Sequence, residues 1–425
     1  MSEDLVALFE GRRVGRMTYN KDRLTFQYDD RWQDDPAAFP LSLSMPLNAR
    51  EHPDGVTRPF VSGLLPDDNE VLRRWGQKFQ VSPRNPFRLL QCVGEECAGA
   101  VQFVQPDRAS HWLADEAPER VTWLDEDEFV ERIQELVADR SRVRRLGDEG
   151  HFSLAGAQAK TGLYLDEAKK RWGVPEGVTP TTHILKPNTG GFDGYEKNEH
   201  FCLRLAGHIG LAAAKSWTEV IGGTAVIVVE RFDRIPRDGR IVRVHQEDMC
   251  QALARMPERK YQNEGGPSAL EIFELIRNHS AKPQDDVLRF LDAMIFNYLI
   301  WGTDAHAKNY GFLLASGGQV RLTRLYDLSS CIPYPLDIPP RKAKLAMKIG
   351  GEYQLHRIGV RHWERAAAEW KLDRDLVFKH LIVQAEKLPA AAEEIANVGT
   401  QANDILNRLV DGISESAKAC TKTFS

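Results

Sequence analysis

The stretch Asp304-Ala305-His306-Ala307-Lys308-Asn309, followed downstream by Tyr326-Asp327, decides the interpretation of this chain. It contains an Asp, an Asn at the end of the same hexapeptide, and a second Asp that ends a short apolar run. A carboxylate can accept the proton of a substrate hydroxyl, and Mg²⁺ prefers carboxylate and amide oxygens as ligands. The stretch therefore predicts a phosphotransfer site, with Asp304 as the catalytic residue and with Asn309 and Asp327 as the metal ligands.

Protein kinases place their parts in the same order, and the upstream residues supply further parts. The segment 182–186 reads as a buried strand that ends in Lys186, where a lysine would bind phosphate. Asn198 is predicted to open a helix that Gly210 ends. Glu199 in its first turn, or Glu196 three residues earlier, would pair with Lys186, and the residues do not decide between the two.

An apolar strand and a loop of small residues complete the predicted nucleotide pocket. Residues 225–229 form a β-branched run too apolar to be exposed, and it leads into Glu230-Arg231-Phe232, where an adenine-binding connector would lie. Residues 152–160 form a loop in which Gly156 supplies backbone freedom for N–H groups to approach phosphates. The predicted nucleotide-binding residues are Ala155, Gly156, Ala157, Gln158, Lys160, Lys186, Glu230, Arg231, Phe232, His306, Lys308, Asn309, Tyr326 and Asp327.

These segments together resemble the HipA serine/threonine kinase toxins of bacterial toxin–antitoxin modules. The resemblance covers nearly the whole chain and rests on spaced motifs in residues 153–160, 182–186, 229–234, 246–251 and 303–309, with Pro40-Leu41-Ser42-Leu43-Ser44-Met45-Pro46-Leu47 and Gly63-Leu64-Leu65-Pro66-Asp67 near the amino terminus. It implies an α+β, protein-kinase-like fold of two lobes, one β-rich and one helical, with an added N-terminal β-rich module.

The resemblance also implies cofactors, substrate and partners. The expected cofactors are ATP and Mg²⁺. The expected substrate is an aminoacyl-tRNA synthetase, with glutamate–tRNA ligase as the first candidate, whose phosphorylation would halt translation and cause growth arrest and persistence. The expected partner is a HipB-like helix-turn-helix antitoxin, and the complex would bind operator DNA and repress its own operon. The kinase itself would be a monomer alone or paired across an antitoxin dimer.

Ser153 is a candidate phosphosite for the same reason. In the family the serine at this place is an autophosphorylation site, and its phosphate drives the loop out of the nucleotide pocket. About two added negative charges beside the ATP phosphates would be repelled. The alternative is that Ser153 is an ordinary strand residue.

Composition limits the class of protein. The 425 residues allow two or three domains, and 61 acidic against 56 basic residues give a net charge of −5, which implies no general attraction to nucleic acid. The six cysteines are scattered without metal-type spacing, as expected for reduced thiols in the cytosol. We see no signal peptide and no run near the ~20 apolar residues of a membrane span. We therefore expect a soluble, cytoplasmic protein with no membrane partner.

Periodicity and linkers suggest four segments. Residues 1–105 are predicted as the β-rich module, 106–150 as a linker with one helix from about Asp125, 151–234 as the kinase small lobe, and 235–425 as the helical large lobe. Helices are predicted at 246–255, 268–279, 287–301, 361–371, 375–388 and 390–412.

Several residues have simpler alternative roles. Asp304 is also the residue type that stabilises a turn after a helix, His306 more often orients a loop than binds metal, and Lys308 is either a phosphate contact or a solvated surface lysine. A metal-dependent phosphohydrolase with Asp304, His306 and Asp327 as ligands is a rival function, and a catalytically silent DNA-bound corepressor is another. No G-x-x-x-x-G-K-[ST] motif is present, which excludes a P-loop enzyme.

The antitoxin is expected to bind the N-terminal module, because the chemistry does not require that part of the chain. The basic runs 140–145 and 341–344 would contact DNA phosphates only after an antitoxin had positioned the complex. A solvated surface is the simpler interpretation of both runs.

Overall fold

The computed structural model of the chain describes residues 3–112, 120–141, 158–397 and 404–424, with the side chains of residues 111 and 112 left out. Its sheets and helices are of the predicted α+β class. The chain divides into two compact units. The first contains Met1–Thr189, Val220–Glu258 and Gly311–Val320, and the second contains Gly190–Glu219, Arg259–Tyr310 and Arg321–Ser425.

The first unit begins with an antiparallel sheet in which Leu24, Phe26 and Tyr28 alternate inward, as their spacing predicts. Its strand order is β4-β3-β2-β1-β5. The elements up to residue 112 are β1 Glu3–Phe9, β2 Arg12–Asn20, β3 Arg23–Tyr28, α1 Asp30–Gln33, β4 Glu51–His52, α2 Asp54–Gly63, α3 Asn69–Phe79, α4 Pro86–Val93, β5 Gln102–Val104 and α5 Ala109–Trp112. This part contains more helix than we predicted, because α3 and α4 each bury one face around Val71, Trp75 and Leu89.

A second sheet carries the candidate nucleotide-binding strands. Its strands β11, β9, β7, β8 and β6 lie in that order. The elements from residue 120 to residue 252 are β6 Arg120–Trp123, α6 Glu126–Ala138, β7 Thr161–Asp166, β8 Arg171–Glu176, β9 His183–Pro187, α7 Tyr195–His208, β10 Ser216–Ile221, β11 Thr224–Glu230, β12 Arg234–Arg237, β13 Arg240–Arg243, β14 His245–Asp248 and α8 Met249–Ala252. The predicted buried strands near 182–186 and 225–229 are therefore confirmed as β9 and β11, and Asp125 caps α6 as expected.

Two predicted helices in this region are corrected. Residues 246–248 belong to strand β14, and only one helical turn follows, because Ala254 takes a left-handed backbone with φ 52° that ends it. Helix α7 begins at Tyr195 rather than at Asn198, because Gly194 has φ 63° and forms its N-cap. Glu196 therefore lies in the first turn of α7, and Glu199 does not.

The second unit is built around the apolar helix α10. The elements after residue 252 are α9 Ala269–His279, α10 Pro283–Leu299, β15 Gly311–Ala315, β16 Gln319–Leu322, β17 Lys344–Ile349, β18 Glu352–Gln354, α11 Val360–Glu369, α12 Arg374–Asn397 and α13 Asp404–Phe424. The predicted helix at 268–279 is confirmed, and α10 starts earlier than predicted, at Pro283 in its first turn. The predicted break near residue 389 is wrong: Pro389 lies inside α12, whose buried face continues from Leu388 to Ala392.

The compact units divide the chain differently from the segments predicted at 105, 150 and 234. Residues 235–258, which we had assigned to the large lobe, lie in the first unit. The physical reason is a set of buried ion pairs, since Arg234 and Arg243 both contact Glu96 of the amino-terminal part. No helix in the described ranges is long and apolar enough to cross a membrane.

Candidate active site

The site in the second unit begins where α10 ends. Trp301 has φ 57°, and the N–H of Gly302 donates to the carbonyl oxygen of Asn297 at 2.7 Å. A Cβ at Gly302 would lie 2.2 Å from Oδ1 of Asn297, so only glycine fits. This tight turn delivers Asp304 to the surface directly after a buried helix.

The backbone carbonyl of Asp304 organises the loop that follows. It accepts hydrogen bonds from the N–H of His306 at 2.8 Å and from Nδ2 of Asn309 at 2.9 Å. The N–H of Asn309 donates to the carbonyl of His306 at 2.9 Å, which closes the short 3₁₀ turn Ala307–Asn309. The carboxylate of Asp304 is thereby left on the exposed side of the loop, and the Asn309 amide is fixed beside it.

The second loop is joined to the first by two hydrogen bonds. The hydroxyl of Tyr326 donates to the carbonyl of Lys308 at 2.7 Å, and Nδ2 of Asn309 lies 3.5 Å from the carbonyl of Asp327. Asp327 has a left-handed backbone with φ 51°. The structure thus brings together Asp304, Asn309, Tyr326 and Asp327, as their spacing predicts.

A parallel bridge holds the second loop in place. The N–H of Leu325 donates to the carbonyl of Ala212 at 2.7 Å, and the N–H of Ala214 donates to the carbonyl of Leu325 at 2.8 Å. The buried Leu325 side chain adds packing at the same point. The second loop is therefore anchored by backbone hydrogen bonds as well as by its side chains.

The residues present suit a hard divalent ion. Nδ2 of Asn309 is used in hydrogen bonds, so its amide oxygen is the atom left to bind a cation, and Asp327 supplies a carboxylate. In the part of the chain that the structure describes, no three His, Cys, Asp or Glu side chains are grouped as metal ligands. Asp304, His306 and Asp327 therefore do not form such a group in this structure.

His306 and Lys308 are both buried. The ring of His306 packs edge-on against Tyr261, with 5.1 Å between ring centroids. The role of His306 in the loop stays a prediction. Lys308 is only 6% exposed, so the interpretation as a solvated surface lysine is wrong.

Asn198 has a role that the sequence did not reveal. Its Nδ2 donates to the carbonyl of Ser330 at 2.7 Å, and its Oδ1 accepts the N–H of Ser330 at 3.0 Å. Both residues are buried. This reciprocal pair ties α7 to the loop that carries Asp327, and the only sequence signal was an amide on the apolar side of a helix.

In the first unit, several predicted nucleotide-binding residues lie on or next to β9 and β11. Lys186 is 4% exposed on β9, directly opposite Ile227 in the antiparallel register, and Glu230 ends β11 opposite His183. Burial lowers the pKa of His183 to about 4, so it is neutral at pH 7. Lys160 is buried and Gln158 half-buried before β7. Ser153, Ala155, Gly156 and Ala157 lie outside the described residues.

The surroundings of Arg231 contradict its predicted role in binding the nucleotide through its side chain. Its guanidinium is buried and contacts Glu96 at 3.2 Å and Asp233 at 2.8 Å, and its N–H donates to the carbonyl of Thr182 at 2.9 Å. A side chain held in this way is not available to a nucleotide. The prediction failed because Glu96 lies 135 residues away and no sequence pattern connects the two.

The same carboxylate of Glu96 binds two further arginines. It contacts Arg234 at 2.9 Å and Arg243 at 2.5 Å. Burial on its own would raise the pKa of Glu96, but Arg243, Arg234 and Arg231 together hold it well below its usual range. We call Glu96, Arg231, Asp233, Arg234 and Arg243 the buried arginine network.

One residue next to Asp304 was missed altogether. The hydroxyl of Tyr261 donates a hydrogen bond to Oδ1 of Asp304. The backbone of the two loops is also joined, since the N–H of Ala307 donates to the carbonyl of Lys260 at 3.2 Å. Tyr261 lies outside every motif that we recognised, and no periodic pattern marks it.

Two family models match most of the chain. Residues 5–104 match the HipA N-terminal domain, and residues 152–402 match the HipA-like C-terminal domain. The chain is 37% identical to a putative kinase, Y4mE, from Sinorhizobium fredii, over 96% of both chains. It is 30% identical to the serine/threonine-protein kinase toxin HipA of Shewanella oneidensis, over 90% of this chain and 87% of that protein.

A solved structure shows the same fold. It is that of a Shewanella oneidensis MR-1 toxin–antitoxin system, HipA with HipB and operator DNA, and the matched chain superposes with a TM-score of 0.82. The two are 25% identical, and the match covers 98% of this chain and 96% of that one. The agreement therefore extends over both of the regions that the family models match.

Proposed function

The chain belongs to the HipA family, and on that basis we propose that it is an ATP-dependent serine/threonine protein kinase. The observation that carries the proposal is the joined pair of loops in the second unit. Asp304 has an exposed side chain, and hydrogen bonds from Asn309 and Tyr326 to the carbonyls of Asp304, Asp327 and Lys308 join its loop to the loop of Asp327. Phosphoryl transfer depends mainly on such positioning.

In the proposed reaction, a serine or threonine hydroxyl of a protein approaches the γ-phosphate of ATP beside Asp304. The Asp304 carboxylate accepts the hydroxyl proton as the oxygen–phosphorus bond forms and the bond between the γ-phosphorus and the β,γ-bridging oxygen breaks. The products are a phosphorylated protein and ADP. Asn309 and Asp327 would hold Mg²⁺, which neutralises phosphate charge when bound.

The other predicted nucleotide-binding residues remain proposals. Lys186 and Lys160 are proposed to bind phosphate, as are the backbone N–H groups of residues 155–158. Glu230 and Phe232 belong to the connector that would hold adenine, and Lys308 would stabilise charge as the phosphoryl group moves. Glu196 or Glu199 remains a proposed partner of Lys186.

We further propose that the chain acts as the toxin of a toxin–antitoxin module. The similar Shewanella protein carries that name, and the matched structure holds HipB and operator DNA. A HipB-like antitoxin would bind this chain, mainly through its N-terminal domain, and DNA would be reached only through that complex, which would repress the operon. Phosphorylation of an aminoacyl-tRNA synthetase is the proposed route to growth arrest and persistence, and autophosphorylation at Ser153 is proposed to regulate the kinase.

A transfer assay with labelled ATP tests the proposed activity. Asp304→Asn and Asp327→Ala should abolish transfer while the circular dichroism spectrum stays unchanged, and Lys186→Ala should weaken ATP binding. Asp411→Asn is the matched control, because Asp411 is exposed on α13, and it should transfer phosphate at the wild-type rate. Undiminished transfer by Asp304→Asn would refute the assignment, and a wild-type protein that binds antitoxin without any transfer would favour the silent corepressor.

The substrate and the phosphosite need separate measurements. A phosphoproteome after brief expression should show a synthetase among the new phosphoproteins, with glutamate–tRNA ligase expected first. Mass spectrometry of the purified chain should find phosphate on Ser153, and the phosphorylated form should bind ATP weakly. Tight nucleotide binding by that form would contradict the displaced-loop idea.

A further inference from the structure

Tyr261 contacts the proposed catalytic carboxylate but belongs to none of the motifs of the site. Its hydroxyl donates to Oδ1 of Asp304, 43 residues further along the chain. Hydrogen bonds to a charged acceptor are stronger than those between neutral groups. In the described part of the chain, the other oxygen, Oδ2, accepts no hydrogen bond from protein. The two oxygens of Asp304 are therefore not equivalent in this structure.

The position of Tyr261 is fixed by its own loop. The N–H of Gly266 donates to the carbonyl of Tyr261 at 3.0 Å, and a Cβ at Gly266 would lie 2.1 Å from the carbonyl oxygen of Arg259. The residue after the tyrosine is held as well, since Oε1 of Gln262 accepts the N–H of Lys348 at 2.8 Å. The loop is thus a compact turn with contacts on both sides.

The ring of Tyr261 is held by two neighbours. It lies edge-on to His306, with 5.1 Å between ring centroids, and Nζ of Lys260 lies 5.8 Å from its centroid. The carbonyl of Lys260 also accepts the N–H of Ala307, so the backbone next to the tyrosine is bonded directly to the Asp304 loop. These contacts leave the hydroxyl directed at Asp304 and do not depend on a bound ligand.

We infer that Tyr261 is a positioning residue for Asp304. An exposed carboxylate rotates freely about its terminal bond, which exchanges the two oxygens. The Tyr261 hydroxyl holds Oδ1 and so presents Oδ2 to the incoming substrate hydroxyl. In this role Tyr261 acts on the reaction through its hydrogen bond to Asp304. This role rests on the proposed kinase function.

The inference predicts a specific kinetic change in Tyr261→Phe, which keeps the ring and removes only the hydroxyl. The kcat for transfer to a protein substrate should fall roughly fivefold to tenfold, as expected for a misoriented catalytic group that water partly supports. The KM for ATP should stay unchanged, because the bond from the hydroxyl orients Asp304, whose proposed role is towards the protein substrate.

Two comparison variants separate the hydroxyl from the packing. Tyr353→Phe is the matched control, since Nζ of Lys348 lies 5.3 Å from that ring and the Tyr353 hydroxyl makes no hydrogen bond in the described residues, and it should keep the wild-type kcat. Tyr261→Ala removes both ring and hydroxyl. If the hydroxyl matters, Phe and Ala lower kcat alike; if only the packing matters, Phe keeps full kcat and Ala does not.

The outcomes distinguish this inference from the function on which it rests. A wild-type chain that transfers no phosphate overturns both. A wild-type chain with activity that needs Asp304, together with Tyr261→Phe at full kcat, overturns the positioning role alone. An increase of kcat in Tyr261→Phe also overturns it, because the hydroxyl would then be blocking the place of the substrate.

Discussion

Ser42 donates a hydrogen bond of 2.5 Å to the buried Glu247, 205 residues further along the chain. The N–H of Leu43 donates to the other oxygen of Glu247 at 2.8 Å, and Oγ of Ser44 donates to the carbonyl of Gln251 at 3.0 Å. The two motifs in residues 40–47 and 246–251 are far apart in the sequence, and they contact each other inside the first unit.

This contact predicts a pH dependence of stability. Burial raises the pKa of Glu247 to about 8, with a smaller contribution from Asp248, against the lowering effect of the bonds from Ser42 and Leu43. The folded pKa lies above the unfolded one, so the stabilisation is complete below the unfolded value and is lost as the pH rises towards 8. Between those limits the free energy of unfolding should fall by up to about 1.4 kcal/mol per pH unit. In Glu247→Gln this decline should disappear, as urea unfolding between pH 5 and 9 would show; an unchanged slope would contradict a protonated Glu247.

The buried arginine network predicts a large loss of stability in Glu96→Gln. The substitution keeps the shape but leaves three buried guanidiniums with Asp233 as their one remaining carboxylate in the network. Removing one partner from a buried ion pair typically costs about 3–5 kcal/mol. Glu70→Gln is the control, because Glu70 pairs with Arg73 and Arg74 on the exposed side of α3, and its melting temperature should stay near wild type. Equal melting temperatures for the two variants would show that the network contributes little.

Gly302 predicts a coupled loss of stability and activity. A Cβ there would meet Oδ1 of Asn297 at 2.2 Å, so Gly302→Ala must either displace the hydrogen-bonded Asn297 amide or shift the turn that carries Asp304. We expect a loss of about 1–3 kcal/mol in stability and a fall in kcat on the order of 10- to 100-fold. Gly207→Ala makes the matched control, since that helical site has open space and should gain about 0.5–1 kcal/mol. Transfer at the wild-type rate by Gly302→Ala would mean that the turn does not position the catalytic loop.

The hydrogen bonds of Asn198 to Ser330 link α7 to the loop of Asp327, so removing them should affect both stability and activity. Asn198→Ala removes both hydrogen bonds to Ser330 and leaves a buried N–H and carbonyl unsatisfied, at a cost of about 1–3 kcal/mol. Because Ser330 follows Asp327 closely, the rate of transfer should fall together with stability. Asn407→Ala on the exposed side of α13 is the comparison, and thermal unfolding should show little change there. A drop in stability with full activity would show that this pair stabilises the fold without positioning Asp327.

The local parts of the site could be predicted from the sequence. The contacts between residues far apart in the sequence could not. The strands β9 and β11 and the order of Asp304, Asn309 and Asp327 follow from apolar runs and short spacings, which act within a few residues. The hydrogen bond from Tyr261 to Asp304 and the ion pair between Arg231 and Glu96 span 43 and 135 residues. No period or motif encodes such pairs, because each depends on how distant loops meet. The error in the predicted start of α7 has a local cause. Helix N-caps usually carry a polar side chain, but α7 is capped by Gly194, which has a left-handed backbone and no side chain.

The buried arginine network bears on how this chain can be recombined with its relatives. Glu96 lies in the amino-terminal part, and its three arginine partners lie in residues 231–243. A crossover between these segments would therefore take Glu96 from one parent protein and the arginines from another. A hybrid that lost Glu96 but kept the three arginines would have only Asp233 to balance their charge within the network, and one that lost the arginines would bury Glu96 without its cationic partners. Exchange of the first hundred residues between family members is therefore expected to give folded hybrids only when the incoming segment carries a carboxylate at the position of Glu96.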